Sequence, residues 1–239
     1  MPTDGPVHAK THKGGDAQVL GHSAISAASA RFWNRHARKY ANNKIGDPNG
    51  YERSLARTRD YLTRNSHVLE IGCGTGTTAL SHAPHLKHIT GTDIAAEMIA
   101  IANEKAGQAN ALNAEFIIAS AQDLPFSDNA FDVVMAHNVY HLVEDVDRAL
   151  SEAWRVTAPG GVLITKTPLL GEMNVFMRHA VLPIMRRWFA IPVVHTLTAS
   201  DFETFVAAAG YEIEAIENHA SKGRDTRPFI VARKPGRSE

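Results

Sequence analysis

The sequence predicts an α/β fold: a mostly parallel, seven-stranded sheet with helices on both faces. Three observations carry this reading. From residue 67 onward, short β-branched runs alternate with helical stretches, which is the pattern of βαβ units. The first of those runs leads straight into a glycine-rich turn that opens a helix, the arrangement found at the carboxyl edge of parallel sheets. The 239 residues, 44% of them hydrophobic, can bury one full core, at most one ordinary domain with decorations.

The elements follow in order. Residues 1–25 are polar and rich in Gly, Ala and Ser without a period, the composition of a disordered tail. Over 27–42, Phe32, Trp33, Ala37 and Tyr40 recur at three- and four-residue steps, which predicts a helix with one apolar face. Asp47-Pro48-Asn49-Gly50 breaks the chain, and 51–62 reads as a second helix. Strands are expected at 67–71, 88–92, 115–119, 131–136 and 162–167. Helices are expected between them at 77–82, 95–106 and 146–156, the last stopped by Ala158-Pro159-Gly160-Gly161.

A helical stretch at 171–189 is apolar on one face through Met173, Phe176, Met177, Ala180, Val181, Ile184 and Trp188. Val175, Leu182, Met185 and Phe189 make much of its other face apolar too, so it wants cover on both sides. Pro183 should kink it. A last helix is expected at 200–209, opened by a capping box at Ser200-Asp201-Phe202-Glu203 and stopped by Gly210. Strands at 211–217 and 228–232 complete the sheet.

Composition narrows the function. Lys plus Arg equals Asp plus Glu at 25 each, so no overall field draws the chain to nucleic acid, and small molecules are the expected partners. The single cysteine, Cys73, excludes a disulfide framework and a multi-cysteine zinc site. With neither a secretory-type apolar segment near the start nor a run of about 20 apolar residues, the expected location is the cytoplasm. His82, His85 and His88 have a spacing that invites a metal, but Pro84 interrupts their helix and no Cys or carboxylate is near. They read as a surface run, with no metal expected.

The chemistry centres on Val68-Leu69-Glu70-Ile71-Gly72-Cys73-Gly74-Thr75-Gly76. Gly72 permits the tight turn, Gly74 lets the backbone approach a ligand without a Cβ in the way, and the following helix offers free N–H groups. Asp93 lies at the end of the next strand, where an acceptor for ribose hydroxyls belongs. The same features would suit a dinucleotide, or a strand-to-helix turn with no ligand. The loop reads G-x-G-x-G, however, with Thr77 where the last glycine of a dinucleotide fingerprint would sit.

Five segments, in order, resemble the class I S-adenosylmethionine-dependent methyltransferases. They are Leu69 to Gly76, Gly91-Thr92-Asp93-Ile94 with Met98 following, Ala121-Gln122-Asp123-Leu124-Pro125-Phe126, Phe131-Asp132-Val133-Val134, and Arg155 through Gly161. The resemblance implies a Rossmann-like domain over 26–239, with an N-terminal helical cap at 26–64 and a helical lid inserted after the fifth strand at 168–198. It implies S-adenosyl-L-methionine as cofactor and S-adenosyl-L-homocysteine as product. Glu70 and the loop of Gly72, Gly74 and Gly76 would hold the methionine end, and Asp93 both ribose hydroxyls. Asp123, beside Gln122, would accept from the adenine amine while Ile94 and Leu124 sandwich the ring. Tyr40 resembles the aromatic that closes over the cofactor.

The sulfonium carries the reactivity, so the protein has mainly to align an acceptor and exclude water; a base is needed only for a protonated acceptor. After the fourth strand, Ala136-His137-Asn138-Val139-Tyr140-His141-Leu142 lacks the element of amino-methylating DNA enzymes. His141 matches the second His of a segment common in the small-molecule branch, as a base or as a cap, and His137 and Asn138 would line the cofactor pocket. The branch most similar is that of quinone-biosynthesis and phospholipid N-methyltransferases, which implies a small, apolar or amphiphilic acceptor. Arg178, Arg186 and Arg187 would meet an anionic headgroup or membrane surface, or form a solvated face. A non-catalytic S-adenosylmethionine sensor and a nicotinamide-dependent oxidoreductase are the rival readings.

Overall fold

The computed structural model describes residues 24–173, 192–223 and 226–236. The predicted tail lies outside the described residues except for Ala24 and Ile25, which already belong to the first helix. Most of the predicted helical stretch at 171–189, with Pro183 and its three arginines, also lies outside; the described start of it is a 3-10 turn at Leu170–Glu172.

Seven strands form one sheet: β1 (His67–Ile71), β2 (His88–Asp93), β3 (Ala114–Ile118), β4 (Phe131–His137), β5 (Thr157–Lys166), β6 (Glu212–Glu217) and β7 (Phe229–Arg233). Their order is β3-β2-β1-β4-β5-β7-β6, and only β7 runs antiparallel to its neighbours. The order reverses between β1 and β4, so the crevice for a ligand opens at their carboxyl ends. Helices α1 (Ala24–Ala41), α2 (Pro48–Arg59), α3 (Thr77–His82), α4 (Ala96–Gln108), α5 (Val146–Val156) and α6 (Ala199–Ala208) surround it.

Strand periodicity sorts the core into two layers. Leu69, Ile71, Val134, Ala136, Leu163, Ile230 and Ala232 face α5 and α6, packing with Tyr140, Leu150 and Phe202. Their chain neighbours Val68, Val133, Met135, Val162, Ile164, Phe229 and Val231 face the other way, against Ile99, Ala102 and Phe116. Both faces of the strands are buried, which is why they read as near-continuous apolar runs. A third, small cluster joins Ala37 of α1 to Ala95, Met98 and Ile101, docking α1 on α4.

Several boundaries move, each for a local reason. Helix α2 begins at Pro48, three residues early, because Asp47 accepts the N–H of Gly50 at 3.0 Å and proline suits the first helical position. Strand β5 starts at Thr157, five residues early, and absorbs Pro159 and the two glycines in an irregularity opposite Phe131 and Val133. The cap of α6 is Thr198, whose hydroxyl receives Asp201 N–H while the Asp201 carboxylate receives Thr198 N–H. The capping box therefore lies two residues before the expected Ser200.

His82 corrects the expectation of a surface run: it is 0% exposed. Among the described residues no three His, Cys, Asp or Glu side chains group as metal ligands, and no helix is long and apolar enough to cross a membrane.

Phe116 of β3 fills the space two glycines leave open. A Cβ on Gly91 would stand 2.6 Å from the Phe116 ring and 2.9 Å from Cys73 Sγ, and a Cβ on Gly76 would stand 2.8 Å from the same ring. Gly91→Ala should therefore lower unfolding stability by about 1–3 kcal/mol through overpacking. Urea denaturation measures it, and trimming the ring with Phe116→Leu in the Gly91→Ala background should recover part of the loss.

Candidate active site

The carboxyl ends of β1, β2 and β4 build a chamber of about 410 Å³. Its base is the turn after β1, where Gly72 and Gly74 adopt φ of +65° and +53°, a region that costs other residues. The room beside Gly72 goes to protein, since a Cβ there would meet Val139 Cγ2 at 2.6 Å. Gly74 is open except for Tyr40, whose ring lies 3.6 Å from where its Cβ would be. Gly76, at φ +73°, faces Phe116 and Ala102 and does not line the chamber.

Asp93 ends β2 and fixes this turn. Its Oδ2 accepts from Gly74 N–H at 3.0 Å and its Oδ1 from Ala95 N–H at 2.9 Å. Burial raises its pKa to about 6, against the opposing pull of those N–H groups. Ile94 and Met98 continue the wall, followed by residues 119–122. Helix α1 adds Ser26, Ser29, Trp33 and Tyr40 from above, and its Asn34 accepts Glu97 N–H at 2.9 Å, serving the start of α4. The Tyr40 hydroxyl is pushed up by desolvation and by Glu70 and Asp93.

Gln122 lines the chamber, and its Oε1 receives N–H of Glu144 and Asp145 at 2.9 and 3.0 Å. The structure does not bring Asp123 or Leu124 there. A bridge between Ser120 and Asp123 turns the chain, so Asp123 is exposed and Leu124, 3% exposed, packs in the core. Arg155 of the fifth motif explains the rest of this segment: it donates to Leu124 O, Phe126 O, Asp128 and Glu152 at 2.7–2.9 Å.

Glu70 is 3% exposed and touches the wall residue His137 rather than the chamber, with Oε1 3.9 Å from His137 Nδ1. Glu70 Oε2 and His137 Nε2 are enclosed without hydrogen-bond partners. His141 stands on the 3-10 turn Tyr140–Leu142 and lines the chamber; its Nδ1 is also enclosed and unpartnered. Desolvation, then His195, pulls its pKa down to about 4, so it is neutral at pH 7.

Sequence reasoning missed His195. Its N–H donates to His141 O and its Nε2–H to Val143 O, both at 2.8 Å, clamping the turn from a segment 54 positions on. The carbonyl can only accept, which fixes the tautomer. It also missed a second chamber of about 490 Å³ that shares Tyr40, His137, Asn138 and Arg227 with the first and is walled by α2, the glycine loop and Lys166. Nothing local in the sequence marks these residues.

Comparison with known proteins shows what this stretch is similar to. The methyltransferase-domain family matches residues 69–165. Demethylmenaquinone methyltransferase of Listeria welshimeri is 32% identical over 139 residues, 54% of this chain and 58% of that protein. The ubiquinone/menaquinone biosynthesis C-methyltransferase UbiE of Rickettsia felis is 39% identical over 114 residues, 45% of this chain and 46% of that one. The chain thus matches about half the length of these curated relatives. Among solved structures, the YcgJ protein of Bacillus subtilis superposes with a TM-score of 0.64 at 20% identity, covering 78% of this chain and all of that one. Geranyl diphosphate C-methyltransferase of Streptomyces coelicolor, solved with Mg2+, geranyl diphosphate and S-adenosyl-L-homocysteine, superposes at 0.65 with 14% identity, covering 89% and 98%. These last two establish the fold, and residues 69–165, which match the methyltransferase-domain family, supply most of the lining of the first chamber; over that stretch the chain is similar to the class I S-adenosylmethionine-dependent methyltransferases.

Proposed function

We propose that the chain is an S-adenosylmethionine-dependent methyltransferase of the cytoplasm that acts on a small, apolar or amphiphilic acceptor. The observation that carries this reading is the first chamber itself. It runs from the Gly72–Gly74 turn past a desolvated carboxylate and two apolar side chains to Gln122, and it contains an enclosed, unpartnered imidazole nitrogen. A buried polar atom left without a partner costs about 1–3 kcal/mol, and a ligand that fills the site offsets it.

In this reading the turn and His137 hold the methionine end, Asp93 accepts ribose hydroxyls, Ile94 and Met98 flank the adenine, and Tyr40 and Trp33 roof the cavity. The bound sulfonium supplies an electrophilic methyl group. The protein aligns the acceptor with it and keeps water out. His141, neutral at pH 7, accepts a hydrogen bond from the acceptor or takes its proton. The relatives are named for demethylmenaquinone and for ubiquinone/menaquinone biosynthesis, which makes a quinol the first acceptor to screen.

Calorimetric titration tests the cofactor. S-adenosylhomocysteine should bind and NAD should not, and Asp93→Asn should weaken the first by about tenfold or more. The ionised carboxylate is the better acceptor for hydroxyls, so wild-type affinity should fall as pH drops below about 6, whereas Asp93→Asn should show no such fall. Binding of NAD without an adenosyl-ligand signal would overturn the assignment.

A second measurement follows S-adenosylhomocysteine release with a demethylated naphthoquinol and other acceptors. His141→Gln should leave S-adenosylhomocysteine affinity within about twofold and lower kcat by about a hundredfold. An unchanged kcat would leave His141 as a wall residue only, and binding with no transfer to any acceptor would favour a sensor.

A further inference from the structure

Among the described residues, three that are not glycine take a left-handed backbone: Asn110, Asn129 and Asn138, at φ of +50°, +59° and +56°. Two of them have an evident structural duty. Asn110 follows the last turn of α4, where asparagine is an ordinary helix stop, and Asn129 Oδ1 accepts from Lys234 Nζ at 2.8 Å. Asn138 has neither. It follows β4 and lines both chambers, and its side-chain amide makes no hydrogen bond among the described residues.

The backbone at this position is fixed without the help of that amide. Asn138 N–H donates to Lys166 O at 2.9 Å, one step beyond the pairing of His137 with Lys166. The next residue, Val139, fills the space beside Gly72, where a Cβ would meet its Cγ2 at 2.6 Å. Glycine would satisfy such a turn with less strain, since a left-handed L residue costs about 1–2 kcal/mol, even though asparagine tolerates it best. An unengaged amide at a strained position between two cavities points to contact with a ligand.

The junction is also where the reaction must occur in the methyltransferase reading, on which this inference rests. With the cofactor in the first chamber, an acceptor approaching its methyl group has the second, of about 490 Å³, to occupy. Tyr40, His137 and Arg227 line both chambers as well. Tyr40 and His137 serve the cofactor in that reading, and a guanidinium can only donate. The wall hydroxyls have their own partners: Thr58 donates to Ser54 O at 2.9 Å, and Tyr51 and Thr78 share a hydrogen bond of 3.2 Å. The Asn138 amide offers a carbonyl oxygen and two N–H groups together.

We propose that the acceptor lies in the second chamber and carries a hydroxyl or amino group, beside the methylated atom, whose hydrogen Asn138 Oδ1 accepts. Asn138 is thereby a specificity-determining contact, and an acceptor without that hydrogen leaves the amide oxygen unmatched.

The test loads the full chain with S-adenosylhomocysteine and titrates 1-naphthol, 1-naphthylamine and 1-methoxynaphthalene by calorimetry. Naphthol or naphthylamine should bind about tenfold more tightly than the methoxy compound, which has the ring and the oxygen but no hydrogen to give. Asn138→Gly should abolish that preference, keep S-adenosylhomocysteine affinity within about twofold, and leave stability to urea unchanged or higher. Asn138→Asp, which retains an acceptor oxygen, should keep the preference. Thr78→Phe, which narrows the second chamber alone, should weaken naphthol about tenfold with S-adenosylhomocysteine affinity within about twofold. Absent naphthol and naphthylamine binding, no preference in the wild type, or a preference that survives Asn138→Gly overturns the proposal. Naphthol affinity unchanged in Thr78→Phe overturns the placement in the second chamber. Weaker S-adenosylhomocysteine binding in Asn138→Gly assigns the amide to the cofactor, and lower stability assigns it to the turn; either overturns the proposal. Failure of the wild type to bind S-adenosylhomocysteine strikes the methyltransferase reading instead, and the same three titrations on the unloaded chain then decide the amide contact.

Discussion

Two backbone N–H groups converge on the carboxylate of Asp93, and the rest of the site hangs from that convergence. Gly74 and Ala95 belong to different connections, the turn after β1 and the entry to α4, and Asp93 ties them at 3.0 and 2.9 Å. Once α4 is placed, so is α1, because Ala37 packs on Ala95, Met98 and Ile101 and Asn34 serves the N–H of Glu97. The roof over the chamber is thus located by the same residue that a ligand would meet. Burying that carboxylate has an electrostatic cost that the tie only partly offsets. A folded-state pKa of about 6, above the ordinary carboxylate value, means that the native state prefers the protonated acid, so this group's contribution to stability falls as pH rises from about 4 to 6. At neutral pH the chamber holds an ionised, buried carboxylate whose two oxygens each keep acceptor capacity beyond the backbone N–H they already receive, which a ligand bearing hydroxyls can use.

What was legible in the sequence was what is local. The strands announced themselves because two-sided burial makes apolar runs, and the turn at Gly72–Gly76 because left-handed backbone selects glycine. Local reading also failed locally: one bridge between Ser120 and Asp123 was enough to exchange which of Gln122, Asp123 and Leu124 faces the chamber. Segment order cannot fix a side-chain direction when a single unpaired residue reverses it. The second chamber was invisible for a different reason. Ser54 meets Lys166 across 112 positions and His219 across 165, and neither contact leaves a spacing to find.

The five segments that carry the family resemblance do unequal work once they are folded. Gly72, Gly74, Asp93, Ile94 and Met98 of the first two segments line the chamber, whereas Phe131, Val133 and Val134 fill the core layers. Arg155 holds the 124–128 segment by its carbonyls, and Pro159-Gly160-Gly161 lies in the irregular start of β5. Such segments recur together because the same sheet must be closed around the same crevice, so they identify the fold more sharply than the acceptor.

Two histidines show how far electrostatics alone can locate a site. Burial depresses both His82, to about 3, and His141, to about 4; both ring nitrogens of His82 and Nδ1 of His141 are enclosed with no partner. A perturbed pKa is expected at functional positions, but it is equally the signature of an imidazole enclosed by packing. His82 lines neither chamber and sits with Ala79 and Ala83 on a short helix packed against the sheet, where a neutral ring simply fills volume. His141 lines the first chamber, on a turn that His195 clamps by two hydrogen bonds from a distant segment. The titration behaviour is shared; the cavity and the clamp are not, and they are what separates a residue placed to meet a ligand from one placed to fill the core.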